Sequence, residues 1–335
     1  MKKVTIRDVA NDAGVSVAAV SKVLRNAYGV SEELRSKVQN SIQHLKYRPS
    51  TLARGMRGKT HCIGVLLVEM HNPFLPKVVD AISQSLKHEG YKTFISVGES
   101  DTSIEQSIID AMLDRHMDGL ILIAPRLSGE HLRSIAIRKP TVVVGHHEPS
   151  SNDFDTVNCD DFSGAYMATE ALIESGCQNV HMLSLPRFDD VVEVFSLREK
   201  GYLKAIEVLA VHQEPHIWRI NERDSNFDAA CAQIFEGARK PDGVFCWSDI
   251  HALQLLSVAH ERKIKVPGDL SVVGFDNTSI SALPMVGLSS VDQFATKIGN
   301  KAATLLMSRI FGRLTSEHLL VEPALIKRNS INIFE

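Results

Sequence analysis

The sequence predicts an α helix-turn-helix head followed by an α/β body of two doubly wound parallel-sheet lobes. Three observations predict it: a run of short, capped amphipathic helices in the first fifty residues, a twofold series of apolar β runs alternating with helical stretches, and a sharp charge division between the two parts. Residues 1–60 hold 12 Lys or Arg against 4 Asp or Glu, so +8, while residues 61–335 hold 25 against 36, so -11. A basic head on an acidic body implies that only the head meets a polyanion, because phosphate contacts need clustered cations and an acidic surface resists non-specific adhesion. On charge alone, a solvated basic face is an equal reading.

The head begins with Thr5 and, three residues on, Asp8, a capping pair, followed by Ile6, Val9, Ala10 and Ala13 at helical spacing and by Gly14 as a stop. Ser16 caps a second helix whose inner side is Val20, Val23 and Leu24, which leaves Val17, Ala18, Ser21, Lys22 and Arg25 on the opposite, small and polar or basic face. Ser31, with Glu32 and Glu33 in the dipole-favoured first turn, starts a third helix with Leu34, Val38, Ile42 and Leu45 inward. A tight Ala13-Gly14-Val15-Ser16 turn between the first two helices is the layout of a DNA reader whose second helix enters the major groove.

In the body, Ile63–Val68, Thr93–Val97, Leu120–Ile123 and Thr141–Val144 are apolar runs separated by amphipathic stretches, and Val180–Leu185, Ile217–Ile220, Val244–Cys246 and Ser271–Phe275 form a second series with helices near 162–175, 196–211, 226–237 and 249–263. Such alternation implies parallel sheets covered on both faces, and two series imply two lobes with a ligand cleft at the carboxyl ends of their strands.

Composition narrows the classes further. With 335 residues, 44% hydrophobic and 23% charged, the chain has room for more than one core. No run of about 18 apolar residues occurs, and Met1 to Asp8 places charges where a signal peptide needs apolar residues, so a cytoplasmic protein is expected. Five scattered cysteines, never spaced CxxC, argue for reduced thiols and against a zinc site; no cofactor or metal is expected.

The stretch Val4 to Arg25, with Tyr47 and Pro49 beyond it, closely resembles the DNA-binding head of the lactose-repressor family of bacterial transcription regulators. The resemblance continues through the body, in Ile63-Gly64-Val65, Asn72-Pro73-Phe74, Asp118 to Ile121, Arg198 to Tyr202, Asp242 to Asp249 and Val266 to Asn277, whose order and spacing are specific as a set. It implies a periplasmic-binding-protein-like body and three regions: residues 1–48 as helix-turn-helix head, 49–60 as hinge, and 61–335 as ligand-binding and dimerisation domain. By resemblance, Val17, Ala18 and Lys22 read base edges, while Thr5, Ser16 and Ser21 position phosphates, as Asn26 could. Lys22 can donate to guanine, whereas Val17 and Ala18 offer only apolar contact, for example to a thymine methyl. The hydroxyls of Thr5 and Ser16 can serve as caps as well.

The same resemblance makes Ser50 to Gly58 a hinge helix that orders on DNA, with Met56 as an apolar minor-groove wedge; the alternative is a flexible basic linker. Gly55 weakens that helix by roughly 1 kcal/mol relative to Ala. Ligand contacts carried over by position are Phe74, Arg198, Ser248 and Asp276, with Asp160 beside the crossover. Their chemistry suits a polyhydroxylated molecule: Arg198 donates in a fork, Asp276 accepts from paired hydroxyls, and an aromatic ring covers an apolar sugar face. A structural ion pair for Arg198 and Asp276, and core packing for Phe74, are the competing readings. Asp249 reads as a helix cap, His146-His147 as a pair near the cleft mouth that could touch ligand although adjacent loop histidines are more often solvated, and Trp247 as either a stacking surface or a core residue.

These readings add up to a homodimeric repressor of a pseudo-palindromic operator, switched allosterically by a small sugar-like effector. A transport-type sugar-binding protein would share the lobes but lack residues 1–60. A sugar-metabolising α/β enzyme would need a catalytic constellation, and no GxSxG, Walker loop or clustered ligand set occurs; Asp160-Asp161 and Asp189-Asp190 have no visible partner base. Residues 329–335 carry no heptad extension, which favours a dimer over a coiled-coil tetramer.

Overall fold

The computed structural model describes residues 4–25, 27–48, 59–186, 194–220, 227–236 and 239–332. The chain divides into two compact units, Met1–Thr60 and His61–Glu335.

The head is built on its caps. Helix α1 (Ile6–Asp12) starts at a complete capping box between Thr5 and Asp8, α2 (Val17–Leu24) starts where Ser16 Oγ accepts from Ala19 N, and α3 (Glu32–His44) starts where Ser31 Oγ accepts from Leu34 N. Gly14 turns between α1 and α2 at φ +65, a left-handed conformation that costs other residues energy. The inward faces meet in a core of Val9, Ala10, Val20, Val23 and Val38, with Leu24, Leu34, Ile42 and Leu45 packed around it. So small a core gives a narrow margin of stability, and the buried Ser41 hydroxyl adds a bond from α3 to Val9 O of α1 at 3.2 Å.

The body contains two six-stranded sheets. In the first, β1 (Cys62–Leu67), β2 (Lys92–Val97), β3 (Gly119–Ile123), β4 (Thr141–Val144), β5 (Asp155–Cys159) and β11 (His318–Val321) run in the order β11-β5-β4-β3-β1-β2, all parallel. In the second, β6 (Val180–Ser184), β7 (His216–Arg219), β8 (Gly243–Cys246), β9 (Ser271–Phe275), β10 (Ser289–Asp292) and β12 (Ala324–Ile326) run β12-β10-β9-β8-β6-β7, with only β12 antiparallel. Helices α4 (Phe74–His88), α5 (Thr102–Asp114) and α6 (Gly129–Arg138) connect the strands of the first lobe. Helices α7 (Asp161–Glu174), α8 (Val194–Leu209), α9 (Phe227–Ile234) and α10 (Asp249–Glu261) belong to the second. The chain then recrosses, because α11 (Ala295–Ile310) packs on α4 and on β3 to β5 of the first lobe.

Both lobes and both series of strands are present as expected, and the structure adds β5, β10, β11, β12 and α11. The strands Asp-Thr-Val-Asn-Cys and Ser-Ser-Val-Asp are polar in composition although almost every residue in them is buried. Their polar groups are met by other elements: Asp155, fully buried, receives Arg309 and Arg313 and the backbone N–H of Glu317. Among the described residues no helix is long and apolar enough to cross a membrane.

Candidate functional site

Two surfaces carry the candidate residues. On the head, Val17, Ala18 and Lys22 are exposed together on α2, with Ser21 half-buried beside them and Arg25 exposed, its Nε donating to Ser21 O at 3.2 Å. Ser16 Oγ accepts the capping bond from Ala19 N at 3.1 Å, which leaves its own hydrogen to donate. Thr5 differs, because its hydroxyl donates to Asp8 Oδ2 at 2.7 Å and is spent on the cap. Asn26 and Met56 lie outside the described residues, as does the Ser50 to Gly58 segment.

On the body, parallel register brings the carboxyl ends of the strands to one side of each sheet. Leu67 pairs with Val97 and Ile123, Ile123 with Val144, and Val144 with Val157, so the residues that follow each strand face one cleft; Ser184 with Arg219 and Phe275 with Val291 do the same in the second lobe. The cleft holds a cavity of about 340 Å³ with mainly apolar walls.

Phe74, Arg198 and Asp276 line that cavity. Arg198, on the second turn of α8, donates from Nε to Asp161 Oδ1 at 2.8 Å and from Nη1 to the carbonyl of Trp247. Its guanidinium lies 3.6 Å from the centre of the Phe275 ring and 5.6 Å from that of Trp247. Two glycines allow this geometry: a Cβ on Gly201 of α8 would stand 2.3 Å from the carbonyl oxygen of Phe162, and one on Gly164 of α7 would meet the Phe275 ring at 2.8 Å. Close approach of α7 and α8 therefore sets Asp161 against Arg198 over an aromatic floor.

Asp276 sits at φ +114 just past β9 and is nearly fully buried. Asn72 Nδ2 donates to its Oδ2 at 2.7 Å and Gln293 Nε2 to its Oδ1 at 2.5 Å. The amide of Asn72 is oriented by Phe74 N–H, which donates to Asn72 Oδ1 at 2.9 Å. Burial raises the Asp276 carboxyl to about 7, with Asp249 adding to the rise and Arg198 opposing it.

Other expected positions resolve differently. Asp160 does not line the cavity; it caps α7, accepting from Ser163 N at 3.0 Å and Ser163 Oγ at 2.8 Å, and its neighbour Asp161 takes the inward place. Ser248 is fully buried, its hydroxyl 3.2 Å from His251 Nδ1 behind the cavity wall. Asp249 is no cap: it accepts from Thr278 N, Ser281 Oγ and Ser290 Oγ, tying α10 to the loop after β9 and to β10. The two histidines are not solvated. His146 lines the cavity with Nε2 3.2 Å from Glu148, and burial lowers its pKa. His147 Nε2 donates to Asp161 Oδ2 at 2.9 Å. Trp247 lines the cavity, with its indole N–H turned to His251. Asp189 and Asp190 lie outside the described residues.

Asp161 and Gln293 are cavity residues that the sequence did not single out, whereas His146 takes the ligand-facing place open to it at the cleft mouth. Asp161 was visible only as one of two adjacent aspartates, and Gln293 follows a strand with no apolar signature.

Comparison with known proteins places this geometry. The family described as "Bacterial regulatory proteins, lacI family" matches residues 5–50, and "Periplasmic binding protein-like domain" matches residues 169–331. The HTH-type transcriptional repressor PurR of Pectobacterium atrosepticum is 30% identical over 337 residues, covering 98% of this chain and 96% of that protein. Among solved structures, the transcriptional regulator CelR in its cellobiose complex is 25% identical with a TM-score of 0.70, covering 98% of this chain and 100% of that one. The Lac repressor dimer bound to operator and the anti-inducer ONPF is 22% identical with a TM-score of 0.83, covering 98% and 99%.

Proposed function

Because the chain belongs to the lacI family of bacterial regulatory proteins, we propose that it is a homodimeric cytoplasmic repressor whose two heads read a pseudo-palindromic operator and whose cleft holds a small sugar-like effector. It is a DNA-binding transcription regulator with a small-molecule effector, not an enzyme. In the head, Val17, Ala18 and Lys22 read bases, while Ser16, Ser21 and Thr5 hold phosphates, Thr5 after exchanging its bond to Asp8 for one to DNA. Asn26 adds a phosphate contact and Met56, from the hinge, enters the minor groove; both lie outside the described residues. In the body, Phe74, Arg198 and Asp276 bind the effector, with Asp161, Asn72 and Gln293 holding the two charged groups in place.

The observation that carries the reading is the presence of oppositely charged groups in one mainly apolar cavity: a guanidinium donor from α8 and a buried carboxyl acceptor just past β9, both held by neighbours. Hydroxyl pairs satisfy both, and the apolar walls suit the C–H faces of a sugar ring. The cellobiose-bound regulator among the similar structures supports that class. An effector acts only through its different affinities for the DNA-competent and incompetent arrangements of the lobes.

Selection of duplexes from a random library, followed by binding at several salt concentrations, should return a symmetric site with a steep salt dependence. A thermal-shift panel of neutral sugars, sugar acids and nucleosides should then find an effector, and Arg198→Ala should abolish its effect while leaving operator affinity intact. The reading is wrong if no duplex is preferred, or if Arg198→Ala responds to the effector as the parent does.

A further inference from the structure

Asp161 stands between two partners from opposite sides of the cleft. Its Oδ1 accepts from Arg198 Nε of the second lobe at 2.8 Å, and its Oδ2 accepts from Nε2 of His147, which follows β4 of the first lobe, at 2.9 Å. The side chain of Asp161 is 1% exposed, that of Arg198 4% and that of His147 15%, so water competes little for either bond. We propose that His147 is a positioning residue: reaching across the gap, it fixes the Asp161 carboxylate and, through it, the direction in which Arg198 presents its guanidinium to the effector.

The geometry leaves Arg198 few alternatives. Nε is held by Asp161, Nη1 by the carbonyl of Trp247, and the plane of the group rests on Phe275. A carboxylate with one oxygen released can rotate about its own axis, so the single bond that fixes Arg198 Nε loosens and leaves the guanidinium held only by the Trp247 carbonyl and the Phe275 ring. Separation of the lobes would break the His147 bond and leave the Asp161 to Arg198 bond intact, because α7 and α8 pack against each other within the second lobe. The effector's chief donor thereby reports whether the first lobe is docked, which is the differential contact that any ligand-driven switch needs. This role rests on the reading of Arg198 as an effector contact; the positioning itself does not.

The test uses the full chain and no effector. The sequence has two tryptophans, and in a Trp218→Phe background the emission belongs to Trp247, whose carbonyl and ring both touch Arg198. His147→Leu removes the donor at similar size, and His147→Gln keeps an N–H at similar reach. In His147→Leu the acrylamide quenching constant of Trp247 should rise about twofold as the guanidinium loosens. His147→Gln should restore most of the parent value, and the double variant with Arg198→Ala should match Arg198→Ala alone. Should His147→Leu not fold, His147→Asn, too short to reach Asp161, makes the same comparison with Gln. Equal quenching in the parent and His147→Leu, or equal quenching in the Leu and Gln variants, overturns the positioning role. Because no effector is involved, that outcome leaves the effector reading standing, whereas failure of the Arg198→Ala screen sinks that reading alone.

Discussion

Asp276→Asn tests whether burial or Arg198 decides the charge of the cavity's acceptor. The carboxyl titrates near 3.8 when unfolded and about 7 in the folded chain, because burial outweighs the attraction of Arg198. The folded chain thus holds this proton more tightly than the unfolded chain does. Its contribution to stability is complete below pH 3.8 and is lost as the pH rises through 7. Each pH decade in which only the folded chain stays protonated is worth about 1.4 kcal/mol, so moving from pH 5 to pH 8.5 spans two such decades and removes about 3 kcal/mol. For a body of this length that is roughly 5 °C in Tm. Asparagine has no proton to lose, and one of the two amides facing it, Asn72 or Gln293, must turn to offer oxygen instead of N–H. The variant should therefore be no more stable than the parent at pH 5 and should overtake it at alkaline pH, while losing effector affinity at both. Urea denaturation of both proteins across this range measures the difference. Glu105, whose fully buried carboxyl also rises to about 7, titrates in both chains and cancels. A stability difference constant to within about 0.5 kcal/mol from pH 5 to 8.5 would refute the reasoning, showing that Arg198 keeps Asp276 ionised throughout.

Three further outcomes are expected. Gly201→Ala puts a methyl group 2.3 Å from the Phe162 carbonyl, so α7 and α8 must part; denaturation should show a loss of about 1–3 kcal/mol, together with weakened effector binding. Ser41→Ala removes a buried bond to Val9 O, which still accepts from Ala13 N, so the head should lose only about 1 kcal/mol in its own melting transition. Lys22→Ala should relax base preference at one position per half-site by about 1–3 kcal/mol in binding assays against single-base variants of the operator; unchanged affinity and specificity would refute the assignment of α2 as the reading helix.

The head was legible because its determinants are local. A cap lies three residues from its donor, an inward face repeats every three or four residues, and Gly14 ends a helix through its own backbone; Thr5, Ser16 and Ser31 accordingly act as their positions in the chain suggest. The apolar central strands of both lobes were legible for the same kind of reason, since a strand covered on two faces must be apolar along its length.

What only tertiary structure decided depends on partners far away in the chain. Strand β5 is buried although polar because Arg309 and Arg313 return to it after more than 150 residues, and no window around Asp155 contains them. The choice between Asp160 and Asp161 turns on helix phase at a crossover: one carboxylate caps α7, and the next points at Arg198 and His147. Asp249 likewise became a buried hub through Thr278, Ser281 and Ser290. Sequence alone determined the elements of the head and the apolar central strands of both lobes. The crossings, the recruitment of buried polar groups and the pairing of cavity charges were settled by packing, because a polar side chain can be buried only where distant residues satisfy it.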